Sequence, residues 1–308
     1  MINTPYTIIH DEIIDALNHK KPLVALESSV FCQGLPEHQC DDAQTSIEQT
    51  IRDAGAIPAT ICLFEGKIHV GCSHNIRKKL LELRHHNKIF KIAERDIAHA
   101  LASGRSGGTT VSATSFIAYK VGIKIFATGG IGGVHRGDGL DISSDLKSLS
   151  QYPIMVFCAG IKSILDVPKT LELLETASVP VFSYRSDYFP NFYCDKSFNL
   201  SPRRIDSLEE LINVFVCRSK LSQKEAILLG NPFVSKNAID TQHFEIILQT
   251  ALEQAQKENI SFQNTTPYLL EYMAKHHNED TVKANIELIK NNAQLAAQSA
   301  ILLSNILA

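Results

Sequence analysis

The sequence predicts an α/β chain: three-layer α/β/α, with a mostly parallel central sheet and a helical C-terminal region. Three observations lead there. Short apolar runs recur that are continuous rather than alternating, the pattern of strands buried on both faces of a parallel sheet. Helix-length stretches lie between them, which points to right-handed βαβ units. The last third holds one further strand candidate and is otherwise helical in pattern.

The runs are "LVAL" (23–26), "ATICLF" (59–64), "IHVG" (68–71), "IKIFATG" (123–129), "IMVFCAG" (154–160), "VPVFSY" (179–184) and "AILLGN" (226–231). A helix is predicted over 39–54, where Ala43, Ile47 and Ile51 share one face and Gly55 stops it. Another is predicted over 161–176, between "CAG" and "SVPV". Near the end, Val282, Ile286, Ile289, Ala293, Ala296, Ala300 and Leu303 recur at steps of four and three. That alanine-rich seam suits a helix docked on the body or on a neighbouring subunit. No repeat, low-complexity tract or long linker interrupts residues 1–308, so a single domain is expected.

Composition narrows the function. The 308 residues are 44% hydrophobic and carry a formal net charge of −3. Nucleic acid as the main partner calls for a basic excess that is not there. A local cationic pocket for a small anion remains open. The seven cysteines (32, 40, 62, 72, 158, 194 and 217) are odd in number and never form C-x-x-C, which predicts a reduced intracellular compartment and speaks against zinc. Asp11, Glu12 and Asp15 break up the first turns, so no signal peptide is visible. No apolar run approaches the roughly 20 residues of a membrane span. A cytoplasmic protein without a membrane partner is expected.

The residues that carry chemistry fall at strand ends, where α/β sheets bind ligands. Glu27 and Ser28 follow "LVAL", the loop "GGIGGVHRGDGLDISSD" (129–145) follows "KIFAT", and "AGIKS" follows "IMVFC". The glycine-rich loop is no dinucleotide fingerprint, because His135 stands where the third glycine belongs, and no G-K-[ST] makes it a P-loop. Its backbone amides beside His135 and Arg136 offer an anion cradle. "SGGTTVSAT" (106–114) offers a second, with Thr109 and Thr110 at a helix start. Together they predict a phosphorylated small molecule.

Two readings stand side by side at each remaining group. Asp138, Asp141 and Asp145 form either a solvated turn capped by Ser143 or Ser144, or a site for an oxygen-liking divalent ion. The pairs His85–His86 and His276–His277 read as surface features. Glu27 is an ion-paired carboxylate or a partly buried general acid. Lys162 either neutralises Asp166 or is a desolvated amine that attacks a carbonyl carbon.

Six long stretches break the balance: "VALESSVFCQGLP", "GAIPATICLFEGKIHVG", "SGGTTVSAT", "FATGGIGGVHRGDGLDISSDL", "VFCAGIKSILD" and "TPYLL…KANIEL…NNAQLAA". In this order they resemble the pseudouridine-5′-phosphate glycosidases, and the resemblance runs from about residue 7 to the C-terminus. It implies an α/β/α fold, a homotrimer, and reversible cleavage of pseudouridine 5′-phosphate to uracil and ribose 5-phosphate with one Mn²⁺ per subunit. By the same resemblance Lys162 is the nucleophile, Glu27 the proton donor and Asp141 the metal ligand. Lys91, Val111, Ser143, Ser144, Asp145 and Asn285 match substrate-binding positions, and Thr110 and His135 join them as expected phosphate contacts. The chain departs from the family at Cys32-Gln33-Gly34, at Glu37-His38-Gln39-Cys40 and at "NPFV" after Gly230. The first change puts a carboxamide where the family has an imidazole. A glycosidase for another C-glycoside phosphate and a catalytically silent phosphosugar-binding protein are the alternatives.

Overall fold

Strand after strand in the computed structural model is buried on both faces, as the continuous apolar runs require. The structure describes residues 5–137, 139–258, 260, 268–269, 272–273 and 280–307. Among the described residues thirteen strands are formed: β1 (Thr7–Ile9), β2 (Leu23–Leu26), β3 (Ile57–Phe64), β4 (Lys67–Val70), β5 (Phe90–Ile92), β6 (Gly107–Thr109), β7 (Ile125–Ala127), β8 (Val134–His135), β9 (Met155–Cys158), β10 (Leu165–Asp166), β11 (Val181–Tyr184), β12 (Arg204–Ile205) and β13 (Ile227–Gly230). The main sheet runs β1-β4-β3-β2-β7-β9-β13-β11-β12, with β6 added to β3 and β5 to β6. Every pair from β3 through β2 to β12 is parallel, and every residue of β2, β7, β9 and β13 is buried.

β3 is long enough to serve two neighbourhoods. Its first half pairs in parallel with β2, and its second half pairs antiparallel with β4 and β6. β5 then pairs in parallel with β6 and places Lys91 opposite Gly108. The short strands β1, β5, β6, β8, β10 and β12 lie outside the predicted runs, since two or three residues carry too little pattern to announce a strand.

The helices are α1 (Asp11–Asn18), α2 (Cys40–Asp53), α3 (His74–His85), α4 (Ile97–Ala102), α5 (Val111–Val121), α6 (Ser144–Leu149), α7 (Val167–Thr176), α8 (Leu208–Lys220), α9 (Thr241–Lys257) and α10 (Asp280–Leu307). α2 buries Ala43, Ile47 and Ile51, the predicted face, and stops at Gly55 with φ +89°. α10 packs on α2 and α8 and over β2, β7 and β9, while α5 and α6 pack on each other. Ala293, Ala296, Ala300 and Leu303 of the seam are buried, and Val282 and Ile286 are half-buried. The small side chains let α10 lie close to the sheet, so the seam docks on the body itself. Among the described residues no helix is long and apolar enough to cross a membrane.

The predicted helix over 161–176 begins six residues late, at Val167. Gly160 turns the chain at φ +100°, where a Cβ would meet the Pro190 carbonyl oxygen at 2.1 Å. Ile161 then bridges to Ile131, and the Lys162 N–H donates to the Ile131 carbonyl at 3.1 Å. Asp166 caps α7 by accepting the Lys169 N–H at 3.1 Å. Lys162 therefore sits in an extended loop that is held on both sides, and not on a helix.

Candidate active site

Three neighbouring parallel strands deliver the centre of the site. The register sets Leu26 beside Ala127 and Ala127 beside Phe157, so the ends of β2, β7 and β9 come level. Glu27 follows β2 and is buried. Thr128, just past β7, donates its hydroxyl hydrogen to one carboxyl oxygen of Glu27, and Ser29 donates to the other. Burial pushes the Glu27 carboxyl up from its ordinary value; the Lys162 ammonium and the two hydroxyls oppose that rise, and the Asp145 charge adds to it. Glu27 thus holds a proton at higher pH than an exposed glutamate.

The loop after β9 carries Lys162, which is half-buried. Its ammonium makes no hydrogen bond or ion pair among the described residues. Asp166, the neutralising partner that spacing offered, is instead paired with Lys169 at 3.1 Å. The loop is braced from behind by Arg136, whose guanidinium forks onto Glu245 at 2.7 and 2.8 Å and donates to the Ser163 carbonyl at 3.1 Å.

Two chambers meet at this centre. The smaller encloses about 450 Å³ and is lined by Phe192, Tyr193, Val282 and Asn285 among others. The larger encloses about 860 Å³ and is lined by Thr110, Val111, His135, Asp141, Ser143, Ser144 and Asp145. Glu27, Ser29, Gln33, Lys91, Lys162 and Ile164 line both. Every site residue expected from the sequence therefore faces one chamber or the other, with Glu27, Lys91 and Lys162 at their junction. Burial lowers the pKa of Lys91, and the charge of Lys162 lowers it further, against the pull of Asp145 and Glu27. Burial also lowers that of His135, which Asp141 opposes and both lysines reinforce.

The expected amide cradles are only partly open. The Thr109 N–H donates to Ser28 Oγ at 2.9 Å, the Thr110 N–H to the Ile92 carbonyl at 3.0 Å, and the Ser112 N–H to Asp145 Oδ1 at 3.0 Å. Between Thr109 and Ser112 the Val111 amide is the one with no acceptor among the described residues. In the glycine-rich loop, the amides of Ile131, Gly132, Val134 and His135 are likewise bonded, to Gly160, Asp145, Thr170 and Asp141. Most of the acceptors come from other segments of the chain, so no local pattern announces them. Thr110 and Ser144 line the larger chamber, and the buried Ser112 hydroxyl joins theirs at 3.0 and 3.1 Å.

Asp145 is a joint as well as a wall residue, since its two oxygens tie the start of α5 to the glycine-rich loop. Ser143 caps α6, as one of the two sequence readings had it. Asp138, His276, His277 and most of the "TPYLL" stretch lie outside the described residues. Asp141 stands 3.7 Å from His135 Nε2, and no three acidic, histidine or cysteine side chains converge to hold a metal among the described residues. One half-exposed carboxylate facing a roomy chamber fits a divalent ion that keeps most of its water, and does not fit a chelated one.

Sequence reasoning missed Thr128 and Ser29 as partners of Glu27, although each flanks a quoted motif. It also missed Phe192 and Tyr193, which sit in an aperiodic stretch with no signal to read, and Arg95, His99 and Arg105 on the larger chamber.

Fold and site together define a three-layer α/β/α enzyme that sets a carboxyl group and an amine at the junction of a divided cavity. Residues 12–302 match the family described as indigoidine synthase A like protein. Proteins named pseudouridine-5′-phosphate glycosidase from Legionella pneumophila and Arabidopsis thaliana are each 40% identical to this chain. The alignments cover 95% of this chain and 94% of the first, and 97% of this chain and 91% of the second. The crystal structure of the prealnumycin C-glycosynthase AlnA in complex with ribulose 5-phosphate superposes with a TM-score of 0.91 at 35% identity, over 99% of both chains. An indigoidine synthase A-like protein from Thermotoga maritima gives 0.87 at 31% identity, again over 99% of both. The chain belongs to the indigoidine synthase A like family, that of the pseudouridine-5′-phosphate glycosidases.

Proposed function

We propose that this enzyme reversibly cleaves the carbon–carbon glycosidic bond of pseudouridine 5′-phosphate, giving uracil and ribose 5-phosphate. The observation that carries the proposal is the placement of a buried Glu27 carboxyl and a Lys162 amine, without a partner among the described residues, where the two chambers join. A base in the smaller chamber and a phosphosugar in the larger one then put C1′ between them. Relatives named for this reaction, and a relative solved with ribulose 5-phosphate, support the same reading.

The chemistry follows from the bond. C1′ is joined to C5 of uracil, so protonating a leaving heteroatom cannot release the base. Glu27 gives its proton to the ring oxygen O4′, and the C1′–O4′ bond breaks as the N1 lone pair conjugates through C6 and C5 to C1′. Lys162, as the free amine, adds to C1′ and restores the uracil ring. The proton lost by the new ammonium returns to Glu27, which delivers it to C5. The C1′–C5 bond then breaks, its electrons re-forming C5=C6, while the lysine nitrogen forms a C1′=N bond. Water hydrolyses that Schiff base to ribose 5-phosphate and free Lys162.

The phosphate is assigned to the larger chamber, with Lys91, His135 and the hydroxyls of Thr110 and Ser144 around it. Mn²⁺, held at Asp141 largely through water, would supply positive charge beside the phosphosugar. Incubation with pseudouridine 5′-phosphate and Mn²⁺, followed by chromatography for uracil, tests the proposal. Binding without uracil release would leave the phosphosugar-binding reading instead.

A further inference from the structure

Gln33 occupies an unusual backbone. Residues Val30–Gly34 form one turn of π-helix, a rare element that is frequent at functional sites. Phe31 and Cys32 are buried on its inner side. Arg84 of α3 clamps it from behind, donating to the carbonyls of Phe31 at 2.7 Å and Leu35 at 2.5 Å. The turn is thus fixed on both sides of Gln33, whose side chain is left facing the cavity.

The other junction residues are committed or limited. Glu27 and Ser29 are bonded to each other. Lys91 and Lys162 only donate, and Ile164 has no polar side-chain atom. Gln33 is neutral, both donates and accepts, and its carboxamide has no partner among the described residues. Within the smaller chamber the Ser163 hydroxyl is spent on the Asn191 carbonyl at 3.1 Å. Phe192, Tyr193 and Val282 supply apolar surface there, and Asn285 supplies a second carboxamide.

Apolar walls suit the faces of a flat ring, and carboxamides suit its edge. A lactam or imide edge sets an N–H beside a C=O, which a carboxamide pairs with donor to acceptor. We propose that Gln33 binds the lactam edge of the heterocycle and so determines which base the enzyme takes. The inference rests on the glycosidase reading above and deepens it. The larger chamber is rich in hydroxyls and cations of its own, so the phosphosugar does not depend on Gln33.

Running the reaction in the synthetic direction separates the two substrates. In Gln33→Ala the KM for uracil should rise about tenfold, the worth of one neutral hydrogen bond, while that for ribose 5-phosphate stays within about twofold. Gln33→His, which can also donate and accept, should recover part of the loss. An unchanged uracil KM, or a rise confined to ribose 5-phosphate, overturns the assignment. If the wild type neither makes nor cleaves pseudouridine 5′-phosphate, the glycosidase reading fails on its own. Calorimetric titration of both proteins with uracil then still reads the contact: equal affinities overturn it, and weaker binding to Gln33→Ala supports it.

Discussion

Thr128 donates its hydroxyl hydrogen to a carboxyl oxygen of Glu27 from the end of the adjacent strand. This bond favours the ionised carboxylate, so it holds the pKa of Glu27 below what burial alone would give. Thr128→Val keeps the shape and removes the donor. If Glu27 acts as the acid, activity is lost as pH rises through its pKa, and that alkaline limb should move to higher pH in the variant. The pH profile of kcat/KM is the measurement. A limb that stays in place or moves down would separate Glu27 from the acid role.

Glu27 also links stability to pH. Burial raises its folded pKa above the ordinary 4.5, so the folded state holds the proton more tightly than the unfolded chain does. Below 4.5 both states are protonated and the full stability is present. As pH rises through that value toward the folded pKa, the unfolded chain ionises first and stability is lost. Glu27→Gln removes the titration, and the Ser29 and Thr128 hydroxyls can turn to suit the amide. The variant should be inactive yet melt higher than wild type at neutral pH, with the difference closing toward pH about 4. Melting curves across pH that run parallel would contradict this.

What the sequence made legible was the strand ends. Glu27 could be found because it directly follows a fully apolar run, and Lys162 because it follows another. The local structure around Lys162 was not legible, since the loop is shaped by a long-range zipper with Ile131 and by Arg136 reaching to Glu245. The same cause closed part of the amide cradles: Ser28, Ile92 and Asp145 each arrive from another segment to take N–H groups near Thr109. Motifs report which residues meet at a site. Whether a backbone amide is still free when they meet depends on partners that lie far away along the chain.

Phosphate recognition should show in substrate choice. If Lys91, His135 and the hydroxyls of the larger chamber hold the phosphate as proposed, their binding energy positions C1′ against the amine. Unphosphorylated pseudouridine should then turn over roughly 10²-fold more slowly or worse, judged by kcat/KM. Equal turnover of nucleoside and nucleotide would take the phosphate out of that chamber.

Asp141 tests the metal. With one carboxylate and water as its ligands, the ion should bind weakly and exchange freely. Asp141→Ala should abolish stimulation by Mn²⁺ and leave the melting temperature nearly in place, because the side chain is half-exposed and its contact with His135 is a long one, at 3.7 Å. A variant that still responds fully to Mn²⁺ moves the ion elsewhere.

Lys162 carries the most specific claim. Its backbone is fixed by the bond to Ile131, and its ammonium is tied to no described residue, so the side chain can change without loosening the loop. Lys162→Ala should lose at least about 10³-fold in turnover while still binding substrate through the two chambers. Lys162→Arg keeps a positive charge beside Glu27 but stays protonated and cannot attack C1′. It should be as inactive as the alanine variant. Borohydride added with ribose 5-phosphate should trap a reduced adduct on wild type, and peptide mapping should place the added mass on Lys162. The arginine variant decides the matter: if it retains more than a few per cent of wild-type turnover, Lys162 serves through its charge and forms no bond to the sugar.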